Sequence, residues 1–472
     1  MLRGIVALVA AVSTTGAAWV QLGQDIDGVA ASDFAGGTRG ATAMSAGGTV
    51  LAVGSPGHGS SDTGHVRVFD LGSGSTDGSW VQRGAAIVGE GAEDNSGAVV
   101  ALNDAGSIVA IGAMGNLANA TCRPDCSYSY QEWGHVRVYN WSSAGQHGAW
   151  VQLGQDIDGE AARDGASGMG RAVALAGDGF TVAIGSSFND HAGQDAGHVR
   201  VFDWTGTAWA QRGNSIDGDY PGDWFGAAVS ISRDGETVAG HARGNDDGGH
   251  FAGHVRVFGW LAGGWVQRGQ DIDGEEPNDV LGEGLALSAD GLTVAASASQ
   301  DYATVTLPRI GSVRVYDWNG VDWVQRAESI VGEAEGDRGG KALAISADGN
   351  TVAIGASLND GDSELEGHVR VHDWDPVLGR WVQRGGDLDG ENTWDYSGYS
   401  VAMSADGNRV ASGARYTADA EYFGGHVCVF GWPTAPPPTP SPTLSPTPST
   451  PCVGEEALSR CWAVRRHWGI ER

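Results

Sequence analysis

The chain is almost without lysine: Lys341 is the only one in 472 residues. Positive charge is therefore nearly all arginine, and 28 basic against 58 acidic side chains leave a formal charge of -30. A surface of that sign repels phosphate backbones and anionic lipid, which excludes nucleic acid and membrane surfaces as favoured partners. Cysteine is scarce as well, with five in all, too few for a disulfide scaffold. Cys122 and Cys126, in "CRPDC", close a small loop if the compartment is oxidising. A zinc site would need a second Cys or His pair at ligand spacing nearby, and the sequence has none there. No apolar run is long enough to span a bilayer, so no membrane insertion is expected. Helical periodicity is missing. So are a nucleophile elbow, a His-Glu-x-x-His run and a phosphate-cradling glycine loop in convincing context, and the chain is expected not to be an enzyme.

Glycine, by contrast, is abundant at 77 residues without a Gly-X-Y period, which indicates many tight turns. An octapeptide recurs through the chain. It reads GHVRVFDL at 64–71, GHVRVYNW at 134–141, GHVRVFDW at 197–204 and GHVRVFGW at 253–260. It continues as GSVRVYDW at 311–318, GHVRVHDW at 367–374 and GHVCVFGW at 425–432. A repeat at this regular spacing means a repeat architecture. Each period carries four strand signals: a strand of small residues, a second strand, the octapeptide, and a "WVQRG" strand, with Asp-Gly hairpins at 178–179, 234–235, 290–291, 348–349 and 406–407. Four antiparallel strands per repeat is the blade of a β-propeller.

Side-chain size agrees. First strands such as SVAMS (400–404) and AVSIS (228–232) are small, as the crowded axis demands, while Trp collects in strands three and four. The Val pair of the octapeptide faces one neighbouring blade, and its His, Arg and aromatics face the other. His65, His135, His198, His254, His368 and His426 are expected to be structural, since third strands lie far from the axis. The chain opens on a fourth strand, "WVQLGQDIDG" (19–28), and its last repeat ends on a third strand (425–432). The N-terminal strand therefore completes the last blade, closing an all-β, seven-bladed propeller over 19–432.

The stretch "DWFGAAVSISRDGETVAGHARGNDDGGHFAGHVRVFGW" (223–260) resembles the FG-GAP repeats of integrin α-subunit propellers, through Phe225-Gly226, the strand that follows and the Gly before strand three. The "VRVFDW…W" spacing also resembles kelch repeats. Both resemblances imply the propeller fold, and tandem repeats of this kind are similar to those of secreted or surface proteins. Calcium-binding FG-GAP hairpins carry several acidic residues, whereas "SADGNTV" (346–352) offers one carboxylate, Asp348. Ca²⁺ needs several oxygen ligands, so calcium is not expected in these hairpins.

Internal alignment singles out an aspartate just before each first strand: Asp33, Asp94, Asp164, Asp223, Asp279, Asp337 and Asp395. They fall in the loops joining consecutive blades, on one face of the disc, either as turn caps or as a ring that binds a cation or basic partner. Weaker metal candidates are Asp190, Asp246, Asp360 and Asp362 in the acidic loops between strands two and three, read either as low-affinity Ca²⁺ ligands or as solvated surface. Asn119 and Asn140 begin glycosylation sequons.

Residues 1–18 fit a secretory signal peptide. Residues 433–451, "PTAPPPTPSPTLSPTPSTP", form an extended linker, and 452–472 are a short tail expected to be disordered. Together these features lead to a secreted or cell-surface protein, a monomer, that binds a protein or glycan ligand. The alternatives are a propeller enzyme acting on glycans, as lyase or hydrolase, and a structural coat protein. The enzyme alternative requires His, Tyr, Arg or carboxylates clustered where the channel opens, breaking the symmetry of the repeat.

Overall fold

The computed structural model describes residues 17–433, apart from 60, 73–77, 116–132, 145–147, 161–171, 300–309, 361–363 and 417–422. Asp164, Asp362, Asn119, Cys122, Cys126 and the tail after 433 lie outside the described residues. Within them are seven antiparallel sheets and no helix. Blade 4 is typical. Phe225–Ile231, Thr237–Ala242, His254–Leu261 and Gly264–Gln267 run as a meander. The outer strand is interrupted, and its second piece, Ile272–Asp273, pairs with the opposite end of the third strand at His254 and Val255. A fourth strand in two pieces is common to all seven sheets.

In blades 4 to 7 the hairpin between strands one and two follows from a Ser-x-Asp-Gly turn. In blade 6 the Ser346 hydroxyl donates to Asp348 (2.6 Å), whose carboxylate accepts the Asn350 amide (3.0 Å). Gly349 takes φ 71°, a conformation a Cβ would oppose. Burial alone would raise the pKa of Asp348, but the bonds from Ser346 and Asn350 outweigh it and hold it below the ordinary value. The carboxylate that a calcium hairpin would use is thus occupied in the turn.

Closure happens at two radii. At the rim, Val20–Gln21 and Ile26–Asp27 pair with His426–Gly431, so the first residues of the propeller complete the blade built by the last. At the axis, the seven hairpins join in a belt of backbone hydrogen bonds. Ala46 donates to Asp104, Asp104 to Gly177, Gly177 to Arg233 and Arg233 to Ala289, at 2.9–3.0 Å. Ala289 donates to Ala347, Ala347 to Ala405, and Ala405 back to Ala46, at 2.8–2.9 Å.

Each side chain of the octapeptide has a place between blades. Val66 and Val68 pack on Val109, Ile111 and Tyr139 of the next blade, while Phe69 packs on Val427 and Val429 of the preceding one. The octapeptide Arg reaches back to a backbone carbonyl of the preceding blade: Arg137 to Val88 (3.0 Å), Arg200 to Asp158 (2.9 Å), Arg370 to Val331 (3.0 Å). It also lies over the aromatic two residues on, as Arg200 does over Phe202 at 5.2 Å. The rim is latched by indole N–H groups, with Trp209 donating to Leu153 O (2.8 Å) and Trp265 to Arg212 O (2.9 Å) of the blades before them. The "WVQRG" arginines lie against the tryptophans of the following blade; Arg212 is 4.7 Å from the Trp260 ring. The octapeptide histidines are buried, and burial pushes His65 and His254 down to about 4 and His198 to about 3. These three are neutral at pH 7.

Near the axis the blades meet backbone to backbone. A Cβ on Gly355 would lie 2.1 Å from the Gly398 carbonyl oxygen, and one on Gly185 would lie 2.0 Å from that of Gly226. Gly355→Ala is expected to destabilise the ring by about 1–3 kcal/mol, the cost of overpacking an interface whose obstacle is backbone, measurable by urea unfolding.

A second prediction concerns acid. His372 stands where the other octapeptides carry Phe or Tyr. It is buried, its Nδ1 has no hydrogen bond, and burial, then Arg370, lower its pKa to about 4. Between pH 6.5 and about 4 the unfolded chain takes a proton there that the folded chain refuses, so stability falls as pH falls through that window. His372→Phe removes this contribution: at pH 5 the variant should exceed the parent by about 1–2 kcal/mol more than it does at pH 8, by denaturant melts at the two pH values. Raised carboxylates such as Asp219 and Asp223 act in the opposite sense in both proteins, and cancel in the comparison.

Candidate functional site

The face opposite the hairpin belt carries the loops that join consecutive blades and those between strands two and three. Here the recurring aspartates are buried, six being described, with exposures of 0–4%. Their carboxylates accept backbone amides three and four residues earlier in the chain. Asp33 accepts from Val29 (2.8 Å) and Ala30 (3.0 Å), Asp94 from Glu90 (2.6 Å) and Gly91 (2.8 Å), and Asp395 from Glu391 (3.2 Å) and Asn392 (2.8 Å). Asp223, Asp279 and Asp337 make the same turn, to Tyr220, Glu276 and Ala334. Arg314 adds a bond to Asp279 (3.1 Å), and His58 one to Asp33 (2.9 Å).

What these caps hold in place is the next residue. Phe34, Asn95, Trp224, Val280, Arg338 and Tyr396, each one past its aspartate, all have φ between 50° and 57°. A left-handed backbone is costly for bulky and β-branched side chains. Five of them donate to a backbone carbonyl in the strand two-to-three loop of the preceding blade, at Phe423, Asp62, Asp195, Phe251 and Leu365. Those five partners are left-handed too, with φ of 50–71°. The aspartates thus brace a strained seam whose other side chains differ from blade to blade. That signal is present in the sequence, as the variable residue beside an unvarying one. The weaker candidates are turn residues as well: Asp190, Asp246 and Asp360 accept the amides of Asp195 (2.7 Å), Phe251 (2.7 Å) and Leu365 (3.1 Å). Asn140 sits mid-strand, paired with Ile108 and Val151.

Inside this seam the first strands of all seven blades, or the residues leading into them, line a cavity of about 600 Å³ on the axis. Four residues past the bracing aspartate the repeat breaks: Ala98 and Ala227 in blades 2 and 4, but Glu283, Lys341 and Tyr399 in blades 5, 6 and 7. Arg39 enters from the longer lead of blade 1, and Arg415 from the end of the second strand of blade 7. Glu283 is buried, ion-paired to Arg39, and accepts the Ser299 hydroxyl. Arg415 donates to the Tyr399 hydroxyl (2.8 Å) and lies 5.1–5.5 Å from the rings of Tyr399, Tyr416 and Phe34. Tyr416 meets Tyr396 at 5.2 Å and Phe423 at 4.8 Å, so aromatic surface continues from the channel mouth onto the face, where Trp394 and Phe423 are about half exposed. In a chain of charge -30, the described residues lining the mouth gather Arg39, Lys341 and Arg415 around a single paired carboxylate.

No protein-family profile matches the chain, and no curated protein does. Among solved structures it is similar to the C-terminal WD40 domain of Sif2, at 13% identity over 89% of this chain and 100% of that one, with a TM-score of 0.50. It is also similar to a protein described as a candidate 6-phosphogluconolactonase of Bacteroides uniformis ATCC 8492, at 12% identity over 74% and 84% of the two chains, TM-score 0.49. A third is the periplasmic gluconolactonase of Pseudomonas aeruginosa, at 16% over 82% and 99%, TM-score 0.47. At these identities the likeness is one of fold, and it places the chain among β-propellers. The expectation that the chain is not an enzyme is corrected to this extent: two of the structures of like fold are named as lactonases. That expectation was drawn from the lack of short linear motifs, whereas propeller sites are assembled from residues of different blades. No helix among the described residues is long and apolar enough to cross a membrane.

Replacing a brace should loosen the seam without opening the ring. Asp94→Ala leaves the Glu90 and Gly91 amides without their acceptor and is expected to cost about 1–3 kcal/mol, seen in chemical denaturation. Amide exchange at Asn95 and Asp62 should quicken, while the axial belt stays protected.

Proposed function

We propose that the protein is a ligand-binding propeller that takes an acidic glycan end group into the channel mouth, with the sugar rings resting on the aromatic surface beside it. The observation that carries this is the convergence of Arg39, Lys341 and Arg415 with Tyr399, Tyr416 and Phe34 at the channel mouth, where the first strands depart from the repeat. Guanidinium and ammonium groups match a carboxylate, and aromatic faces match the apolar faces of a pyranose. A concave site of this volume, with a few convergent polar groups, is what a small ligand needs. Display outside the cell belongs to the same proposal, supported by the N-terminal apolar run and the Pro/Thr/Ser-rich segment. The FG-GAP resemblance fits a surface-binding role of this kind.

Chemistry on the bound sugar is a second reading, favoured by Glu283 and Tyr399 standing among the cations. Isothermal titration with galacturonate oligomers, and with neutral galactose oligomers as control, tests binding; product analysis of the same mixtures tests turnover. The acidic oligomers should bind and the neutral ones should not. Affinity should fall as salt rises, and Lys341→Ala or Arg415→Ala should weaken it at least tenfold. Equal binding of neutral oligomers, or no effect of either substitution, overturns the proposal.

A further inference from the structure

Away from the channel, blade 4 brings three carboxylates and an imidazole together. Asp271 and Asp273 come from the "QDIDG" end of its outer strand, Asp247 from the loop between strands two and three, and His254 opens the third strand. One donor atom from each lies within 4.8 Å of every other. His254 Nδ1 is 3.9 Å from Asp271 Oδ2 and 3.9 Å from Asp273 Oδ1, too far for hydrogen bonds. The imidazole is 0% exposed and neither ring nitrogen has a hydrogen-bond partner. A buried polar group left this way is costly, and one aimed at carboxylates it cannot reach calls for something between them.

We infer that Asp247, His254, Asp271 and Asp273 form a binding site for a divalent transition-metal ion of the Zn²⁺ type. One imidazole nitrogen with carboxylate oxygens suits zinc and its first-row neighbours, whereas calcium takes oxygen ligands alone. The second shell is in place: Gln267 Nε2 donates to Asp271 Oδ1 at 2.5 Å, leaving Oδ2 turned to the imidazole. Burial, then Arg256, lowers the pKa of His254 to about 4, so at neutral pH it offers a lone pair. Burial first, then Asp271 and Asp247, raises that of Asp273, a repulsion that a cation relieves.

The repeat supplies its own controls. Blades 1 and 5 have Ala86 and Val88, or Ser329 and Val331, in place of the two aspartates. Blade 3 has Ser215 for Asp271 and His191 for Asp247, and the blade 6 loop has Gly361 for Asp247. Blade 7 supplies the same set in sequence, Asp419 with His426, Asp25 and Asp27, and Asp419 lies outside the described residues; blade 4 is where the four donors are seen together. The proposal does not depend on the channel mouth.

The test is titration of the chelator-treated full chain with Zn²⁺, and separately with Ca²⁺, read by calorimetry and by thermal shift. The parent should take up Zn²⁺ with a rise in melting temperature and bind Ca²⁺ at least tenfold more weakly. The double variant Asp247→Asn/Asp273→Asn changes two exposed side chains, should keep the metal-free melting temperature, and should lose at least tenfold in Zn²⁺ affinity. Co²⁺ in place of zinc should give visible absorption that His254→Gln alters. No Zn²⁺ binding, an unchanged affinity in the double variant, or tighter Ca²⁺ binding overturns the inference.

Discussion

The structure depends on the belt of seven backbone hydrogen bonds around the axis and on its partner at the rim, where Val20–Gln21 and Ile26–Asp27 join the strand His426–Gly431. A single blade cannot bury itself. Its Val face needs the blade ahead, and its aromatic face needs the blade behind. In an open array the two end blades would each expose one such face and a sheet edge. Closing the ring removes both exposures at once, and the belt can close only when all seven hairpins reach the axis together. The small first strands and the Gly-to-Gly contacts near Gly355 and Gly185 follow from that convergence.

Closure also explains where the charge goes. Most octapeptide and "WVQRG" arginines are tied to carbonyls, carboxylates or indole rings of adjoining blades, and they serve the ring. Arg39, Lys341 and Arg415 lie outside the repeat and line the cavity instead. The same division appears among the acidic groups. The bracing aspartates are buried in turns, whereas Glu283 occupies a position where blades 2, 4, 6 and 7 have Ala, Lys or Tyr. In this fold, departures from the repeat mark the chemistry. Strain concentrates on the same face, where left-handed residues such as Phe34, Trp224 and Val280 are held by the braces and by their cross-loop hydrogen bonds.

Much of the fold was legible in the residues. Ser-x-Asp-Gly marks the hairpins of blades 4 to 7, the octapeptide marks each third strand, and a propeller that begins on a fourth strand and ends on a third implies the closure that is seen. The split of the outer strand was not legible, because "DIDG" reads as a turn until its Ile is seen to pair with the octapeptide Val. The site was harder to read. The unvarying aspartates drew attention, yet their regularity belonged to the scaffold, and the informative residues were the irregular ones beside them.

What the sequence determined by itself is the blade, the number of blades and the order of strands, because those rest on local turn chemistry and on an alternation that each repeat carries within it. Tertiary structure alone decided which irregularities meet. Arg39 and Arg415 come from opposite ends of the propeller, and Glu283, Lys341 and Tyr399 from three separate blades, with nothing in their local surroundings to relate them. They become neighbours because the first strands converge on one axis, and that convergence exists only once the ring has closed.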